Sequence, residues 1–126
     1  MSKREAVLTS ENLSQVVVHG MQEKKANEIR VFDLRSVTNS VADFFVICSG
    51  NSDTHIGSIA DSVEEVVIKT DGQLPWHKEG SNNNSWVLLD YVDVVVHIFA
   101  KESRAFYGIE DLWADAEVTE IEHVGL

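Results

Sequence analysis

The stretch WVLLDYVDVVVHIFA, residues 86–100, decides the fold. Two apolar runs flank a polar break from Asp90 to Asp93, a pattern that predicts an antiparallel β-hairpin. In the second run, alternation places Asp93, Val95 and His97 on one face of the strand and the intervening residues on the other. Two carboxylates and an imidazole beside an apolar strand are compatible with a metal site, an acid/base pair, or a hairpin with polar ends.

The segments around this hairpin complete an alternating pattern of helices and strands. The run DFFVICSG ending at Gly50 is continuously apolar, which is typical of a strand buried on both faces. The next segment carries a helical apolar stripe, which predicts a helix capped by Ser52 or Asp53 and ended by Gly72. A further helix is predicted over residues 10–25, with Ser10 as its N-cap.

The remaining segments predict a strand from residue 27, a short edge strand after Pro75, and one or two helical turns over residues 102–113. The order is then α, β, β, α, β, β, β, α. It indicates an α/β (α+β layers) fold, a mixed or antiparallel sheet with helices packed on it. We expect a single domain over residues 1–126, in which residues 114–126 form a peripheral acidic tail.

Length and composition exclude several classes of protein. The chain has 126 residues, 44% of them hydrophobic, and no repeat or low-complexity tract. No apolar run approaches the roughly 18 residues of a membrane span, and the start has no apolar signal segment. One cysteine, Cys48, cannot form an internal disulfide. We therefore expect a cytoplasmic protein with no membrane contact.

The charge is strongly acidic, with 10 Lys and Arg against 21 Asp and Glu, a formal net charge of −11. Such a field repels phosphate backbones, so direct nucleic-acid binding is disfavoured. Two interpretations stay open: a basic protein partner, or acidity that serves solubility alone.

Phosphoryl transfer with two metal ions needs paired carboxylates at i and i+2 on a strand, where both face the same side. Here Asp93 is followed two residues on by Val95, so that pair is missing. The turn SGNS at residues 49–52 resembles an anion-binding strand-to-helix turn, but one glycine is a weak signal. We expect no metal site, no cofactor and no enzyme activity; His97 is interpreted as structural or interfacial, and Cys48 as buried and inert.

Aromatic residues are concentrated in the C-terminal half among acidic ones. Exposed, they are the anchors that a protein-binding surface for a basic partner uses; buried, they are core. Trp76, next to Pro75 in a loop-like segment, is the one we expect to be exposed. The others are Trp86, Phe106, Tyr107 and Trp113.

The chain resembles the ribosomal silencing factor, or Iojap-related, family. The resemblance is strongest over residues 33–113, in VADFFVICSGNSDTHIGSIADSV, in DVVVH of the hairpin, and in RAFYGIEDLW. It implies a nucleotidyltransferase-like mixed sheet without catalytic carboxylates. It also implies a homodimer that binds the large ribosomal subunit through uL14, a small basic protein. Occupying uL14 would block subunit joining and repress translation in starvation or stationary phase.

The resemblance also implies a set of partner-binding residues on the sheet side, the hairpin and the segment after it. Val92 departs from the family, where many members have glycine in the turn, so we expect a different turn shape and altered contacts by Tyr91. The loop Gly80–Ser85 receives no role. The implied residues are Trp76, Lys78, Glu79, Asp90, Tyr91, Asp93, Arg104 and Tyr107.

Two alternatives remain open at this point. A large-subunit assembly factor would use the same surface, and the sequence does not separate it from a silencing factor. A metal-dependent nucleotidyltransferase with unusual ligands would instead bind nucleotide through Asp93 and magnesium.

Overall fold

The computed structural model describes residues 8–80 and 85–122. They form one six-stranded sheet, in the strand order β3-β4-β5-β2-β1-β6, together with four helices. In chain order the elements are α1 (Ser10–Glu23), β1 (Asn27–Asp33), β2 (Phe44–Gly50), α2 (Asp53–Asp71), β3 (His77–Glu79), β4 (Trp86–Asp90), β5 (Val94–Ala100), α3 (Lys101–Tyr107), α4 (Ile109–Leu112) and β6 (Glu117–Glu120).

The sheet is mixed, as the sequence predicts. Its two central strands, β2 and β5, run parallel over seven residue pairs from Phe44↔Val94 to Gly50↔Ala100. Its other neighbouring strands pair antiparallel, including the predicted β4–β5 hairpin. Every residue of β2 is buried, which explains why its sequence is a continuous apolar run rather than an alternating one.

Two apolar clusters cover the two faces of the sheet. On one face α1 and α2 pack over Val94, Val96 and Ile98. On the other face the segments after β1 and β5 cover Val95 and Phe99. The alternation predicted for β5 is therefore confirmed. We call these the helix face and the open face.

The helix ends follow local side-chain chemistry. Ser52 caps α2 by accepting a hydrogen bond from the His55 backbone N–H at 3.1 Å, and Gly72 ends the helix in a left-handed conformation, both as predicted. The prediction for α1 is wrong by one residue: Thr9 accepts from the Asn12 N–H at 3.1 Å, and Ser10 is the first helical residue. Either hydroxyl suits an N-cap, so the sequence alone does not separate them.

Part of the C-terminal tail forms a strand that the sequence did not predict. Residues Glu117–Glu120 pair antiparallel with β1 as the sixth strand, at the end of the strand order. All four side chains are exposed, so the alternating burial that marks a strand in sequence is missing. Residues 81–84 of the Gly80–Ser85 loop and the last four residues of the tail lie outside the described residues.

Candidate protein-binding surface

Six of the eight residues implied by the resemblance are exposed or half-buried, and two are buried. Trp76 is 79% exposed, as expected, and its backbone N–H donates to the Asp90 carbonyl at 2.7 Å. The Trp76 backbone is therefore held beside Asp90, where the hairpin turn begins. The six residues are Trp76, Lys78, Glu79, Asp90, Asp93 and Tyr107.

The edge strand β3 divides its charges between the two faces. Lys78 donates to the Glu64 carboxylate of α2 at 2.6 Å, so it points to the helix face. Glu79, one residue on, points to the opposite face, and its Oε2 lies 2.6 Å from His77 Nε2. A partner lying flat on either face would therefore meet one of Lys78 and Glu79, while a partner at the edge of β3 meets both.

Tyr91 lies in the core of the helix face and is 4% exposed. Desolvation raises the pKa of its phenol, with a smaller contribution from the Glu64 carboxylate. Its hydroxyl has no hydrogen-bond partner among the described residues. Tyr91 is thus a core residue of this chain, and contact with a partner would require the turn to open.

Arg104 is 6% exposed and connects α3 with three other elements. Its Nη1 donates to Ser49 Oγ of β2 and to the Glu28 carbonyl of β1, each at 2.8 Å. Its Nε and Nη2 donate to the two carboxylate oxygens of Glu110 at 2.9 and 3.0 Å. Arg104 therefore fixes α3 on the sheet and has no free face for a partner.

The hairpin turn keeps the shape that glycine would favour. Val92 adopts φ +78°, so the expectation of a different turn shape is wrong. Two hydrogen bonds hold it there: Asp93 N–H donates to the Tyr91 carbonyl at 3.0 Å, and Val92 N–H donates to Asp90 Oδ1 at 2.7 Å. The Val92 side chain is 56% exposed, which adds an apolar group between the two carboxylates.

Aromatic rings line the open face at the other end of the hairpin, where Trp86 pairs with Phe99. Trp86 lies 5.0 Å from Phe99 and 4.6 Å from Tyr107, measured between ring centroids. Trp86 is half-buried and Tyr107 is 44% exposed, so the cluster is partly accessible. The sequence did not decide whether Phe106 is a core or a surface residue. In the structure it is 82% exposed and lies on the surface, in edge-to-face contact with Tyr107.

His97 is a structural residue of this cluster. Trp86 Nε1–H donates to His97 Nδ1 at 3.1 Å, so the neutral ring carries its proton on Nε2. The ring is 2% exposed, and desolvation lowers its pKa to about 4. It is therefore neutral at physiological pH, and its burial keeps it away from solvent.

The described residues do not bring together the paired carboxylates that a two-metal transferase needs. Asp93 precedes β5, and Val95, at the position of the second carboxylate, is buried in the open-face cluster. Within residues 8–80 and 85–122, no group of three His, Cys, Asp or Glu side chains is placed to hold a metal ion.

The SGNS turn, considered above as a weak anion-binding signal, and the cysteine are both engaged in internal structure. Ser49 Oγ accepts from Arg104, and the Asn51 N–H donates to His55 Nδ1 at 2.9 Å. The same His55 ring contacts the Lys24 carbonyl of α1 through Nε2 at 2.7 Å. Cys48 is fully buried, and desolvation raises the pKa of its thiol to about 12, which leaves it unreactive, as predicted.

Leu74 and Leu112 are among the exposed apolar residues that the sequence reasoning missed. Leu74 is 67% exposed and Leu112 is 74% exposed. Leu74 lies two residues before Trp76, so the loop that precedes β3 carries two large apolar side chains in water. The nearby Pro75 was the available signal, since proline in a sheet is confined to edge positions, where flanking side chains are exposed.

Fold and surface together define a class of protein: a mixed-sheet domain that offers exposed aromatic groups beside carboxylates. A family model described as "Ribosomal silencing factor during starvation" matches residues 7–125. The chain belongs to the ribosomal silencing factor family.

Two bacterial relatives align over most of their length, and a chloroplastic one over less than half of its own. The ribosomal silencing factor RsfS of Halalkalibacterium halodurans is 36% identical over 117 residues, which are 93% of this chain and 98% of the relative. The Bacillus subtilis RsfS is 32% identical and covers 91% and 96%. The chloroplastic protein Iojap of Zea mays is 35% identical over 79% of this chain and 42% of its own length.

Solved structures show the same fold. A crystal structure of a protein from Chromobacterium violaceum superimposes with a TM-score of 0.78 at 26% identity, covering 93% of this chain and 97% of the other. A second, from Bacillus halodurans, gives 0.74 at 34% identity over 88% and 99%. Among the described residues, no helix is long and apolar enough to cross a membrane.

Proposed function

We propose that this protein binds the large ribosomal subunit through uL14 and thereby blocks joining of the small subunit, repressing translation in starvation or stationary phase. The observation that carries the proposal is the family match over residues 7–125. When this protein is bound, it covers the surface of uL14 that the small subunit needs. Exclusion of the small subunit therefore requires no chemical reaction. We place this activity in the cytoplasm and expect the protein to act as a homodimer.

The proposed contact surface runs along the β3 edge and the hairpin turn. Trp76 supplies a large exposed ring, and exposed tryptophans at the centre of an interface are frequent hot spots. Asp90, Asp93 and Glu79 supply negative charge around it. A basic partner would pair with these carboxylates, which speeds association and makes it sensitive to salt.

The geometry favours the sheet edge over the buried residues of the implied set. Tyr91 and Arg104 support the surface from within: Tyr91 underlies the turn, and Arg104 fixes the helix that carries Tyr107. A standard interface buries roughly 1,600 Å² in total, or about 800 Å² on each partner. We therefore extend the surface from Trp76 and the turn along the open face of the β4–β5 hairpin to the aromatics Tyr107 and Phe106 at its other end.

A subunit-joining assay tests this function. Purified large and small subunits are mixed with and without the protein at low salt. The mixtures are then resolved on a sucrose gradient. We expect the protein to co-sediment with large subunits and to reduce the joined peak. Failure to bind isolated large subunits at low salt would refute the proposal.

A matched pair of variants locates the contact. Trp76→Ala should weaken large-subunit binding by about tenfold or more, since it removes an exposed anchor and no core packing. Leu112→Ala removes a similarly exposed side chain on α4 and should leave binding unchanged. Equal effects of both variants would argue against the β3-edge surface, and depletion that leaves precursor particles would favour the assembly-factor alternative.

A further inference from the structure

A second surface lies at the opposite edge of the sheet, in a groove on the helix face between α1 and β6. Its volume is about 300 Å³. The floor is apolar and the rim is acidic. The floor residues are Val18, Val31, Phe44 and Ile121, and the rim carries Glu11 and Glu117.

Among the described residues, the strand beside this groove is the last one of the sheet. β6 pairs with β1 along Val31↔Thr119, and the Ile121 N–H donates to the Ile29 carbonyl at 2.9 Å. Backbone groups alternate in direction along an antiparallel strand, so those of Val118 and Glu120 point away from β1. These outward N–H and C=O groups form an edge on which another strand can pair.

The charges around the groove select the kind of strand. Glu117 of β6 and Glu11 of α1 both line the groove on the helix face, while Glu120 of β6 points to the open face. Each of the two nearby cations is shared between two carboxylates: Arg35 pairs with Asp33 at 2.7 Å and Glu11 at 3.6 Å, and Arg30 pairs with Glu110 at 2.9 Å and Glu120 at 3.6 Å. Because carboxylates outnumber cations here, an incoming strand meets a net negative charge, which attracts lysine and arginine.

The same charges disfavour a second copy of this chain as the occupant. Pairing β6 with β6 of another copy would bring glutamates next to glutamates across the new strand pair. Like charges in such positions destabilise a β-ladder. The apolar floor of the groove also limits the kind of partner. A partner with only basic side chains, such as polylysine, would leave this floor uncovered, so the partner must also carry apolar side chains.

We propose that the β6 edge and its groove bind an extended polypeptide segment in which basic and apolar residues alternate, added as a seventh strand. Its apolar side chains cover Val31 and Ile121 on the helix face. Its basic side chains point to the open face, where Glu120 lies, and its flanking basic residues reach the acidic rim.

This surface is separate from the one proposed for uL14. The strands β3 and β6 are the two ends of the six-strand order, five inter-strand spacings apart. At about 4.8 Å per spacing this is roughly 24 Å. Both surfaces can therefore be occupied at the same time, and loss of one leaves the other intact.

The test uses the full chain and a synthetic capped heptapeptide that alternates lysine and valine, Lys-Val-Lys-Val-Lys-Val-Lys. Binding is followed at physiological ionic strength by amide chemical shifts and by hydrogen exchange. We expect shifts confined to β6 and the facing side of α1. We also expect exchange of the Val118 and Glu120 amides to slow at least tenfold. Shifts spread over the acidic surface, or centred on β3, would overturn the proposal.

Val118→Pro separates strand pairing from charge attraction. It removes an outward N–H while keeping the bonds of β6 to β1, and proline is tolerated at such edge positions. We expect at least tenfold weaker peptide binding with unchanged large-subunit binding. A heptapeptide methylated on alternate backbone nitrogens gives the same test without altering the protein and should also bind at least tenfold more weakly.

Two outcomes contradict the proposal directly. Unchanged binding of the methylated peptide would show that charge alone holds it. Conversion of a dimer to a monomer by Val118→Pro would show that a second copy of this chain occupies the edge.

Discussion

Arg104 and Glu110 form a two-point ion pair across the turn between α3 and α4, with N···O distances of 2.9 and 3.0 Å. Glu110 also accepts from Arg30 Nη1 of β1 at 2.9 Å. The carboxylate therefore lies between two guanidinium groups, one from a helix and one from the sheet. This arrangement fixes the segment that carries Phe106 and Tyr107 relative to the open face.

Replacing Arg104 should destabilise the fold strongly. In Arg104→Met, Ser49 Oγ and the Glu28 carbonyl lose their donor, and Glu110 loses its closest cation. We expect the free energy of unfolding to fall by about 3 kcal/mol, in the range for breaking a buried ion pair. Urea denaturation followed by circular dichroism measures it. Arg104→Lys keeps the charge and should lose less; equal losses would mean that the forked geometry is unimportant.

The same ion pair predicts how stability responds to acid. The hydrogen bond from Arg104, with a smaller contribution from Arg30, lowers the pKa of Glu110 below its ordinary value of 4.5. A carboxyl with a depressed folded-state pKa stabilises the fold above the unfolded value, and this stabilisation is lost as pH falls through the folded value.

We therefore expect the wild-type protein to lose more stability than Glu110→Gln between pH 4.5 and pH 3. Urea midpoints at several pH values give the comparison. Asp33, whose pKa the Arg35 hydrogen bond lowers, contributes a similar slope that remains in the variant. Identical slopes for the two proteins would show that Glu110 titrates normally in the folded state.

The sequence predicts most of the architecture because burial leaves a periodic trace. The continuous apolar run of β2 and the alternation of side chains between the two faces of β5 have the same origin. Each strand lies between two others and faces core on both sides. The α2 helix is equally readable, since Ser52 and Gly72 are local signals at its two ends. What the sequence does not reveal is β6, whose exposed side chains carry no such trace.

The candidate surface was less predictable than the fold. Trp76 could be identified as exposed from its neighbour Pro75, a local feature. Arg104 could not be identified as buried, because its partners Ser49 and Glu28 lie 55 and 76 residues away in the chain. A charged side chain is usually exposed, and the contacts that override this rule are long-range.

His97 should make the protein sensitive to mild acid. Its pKa is about 4 in the folded protein, against 6.5 for a free imidazole. As pH falls below 6.5 the unfolded chain gains a proton that the folded chain does not, so stability declines until about pH 4. The full difference corresponds to about 3 kcal/mol.

His97→Gln removes this effect and keeps an acceptor for the Trp86 indole. We expect its stability to change little between pH 6.5 and pH 5, where the wild-type protein already weakens. Thermal unfolding across this range, with tryptophan fluorescence as the signal, compares the two. A wild-type profile that is flat over this range would contradict a buried neutral imidazole.

The crossing of α1 over α2 depends on a residue without a side chain at Gly20. A Cβ there would lie 2.8 Å from Val63 Cα, and the Gly20 carbonyl accepts from the buried Ser62 hydroxyl at 2.7 Å. Gly20→Ala should therefore destabilise by about 2 kcal/mol, because backbone rather than a flexible side chain must move. Gly57→Ala, also inside a helix, is the control and should be neutral or slightly stabilising through helix propensity. Urea denaturation of both variants decides whether close approach or propensity dominates at Gly20.

Val92→Gly should stabilise the β4–β5 hairpin. Val92 is β-branched yet adopts φ +78°, a conformation that costs of order 1–3 kcal/mol for a non-glycine residue. Glycine removes this strain, and the side chain that is lost is 56% exposed, so little burial is forfeited. Glycine also makes the unfolded chain more flexible, which costs about 0.5–1 kcal/mol. The net gain should be about 1 kcal/mol in the free energy of unfolding, measured by urea denaturation.

Val92→Ala relieves less of the strain, so its stability should fall between those of the wild type and the glycine variant. A glycine variant less stable than the wild type would mean that the Val92 side chain makes a contact stronger than the strain it imposes.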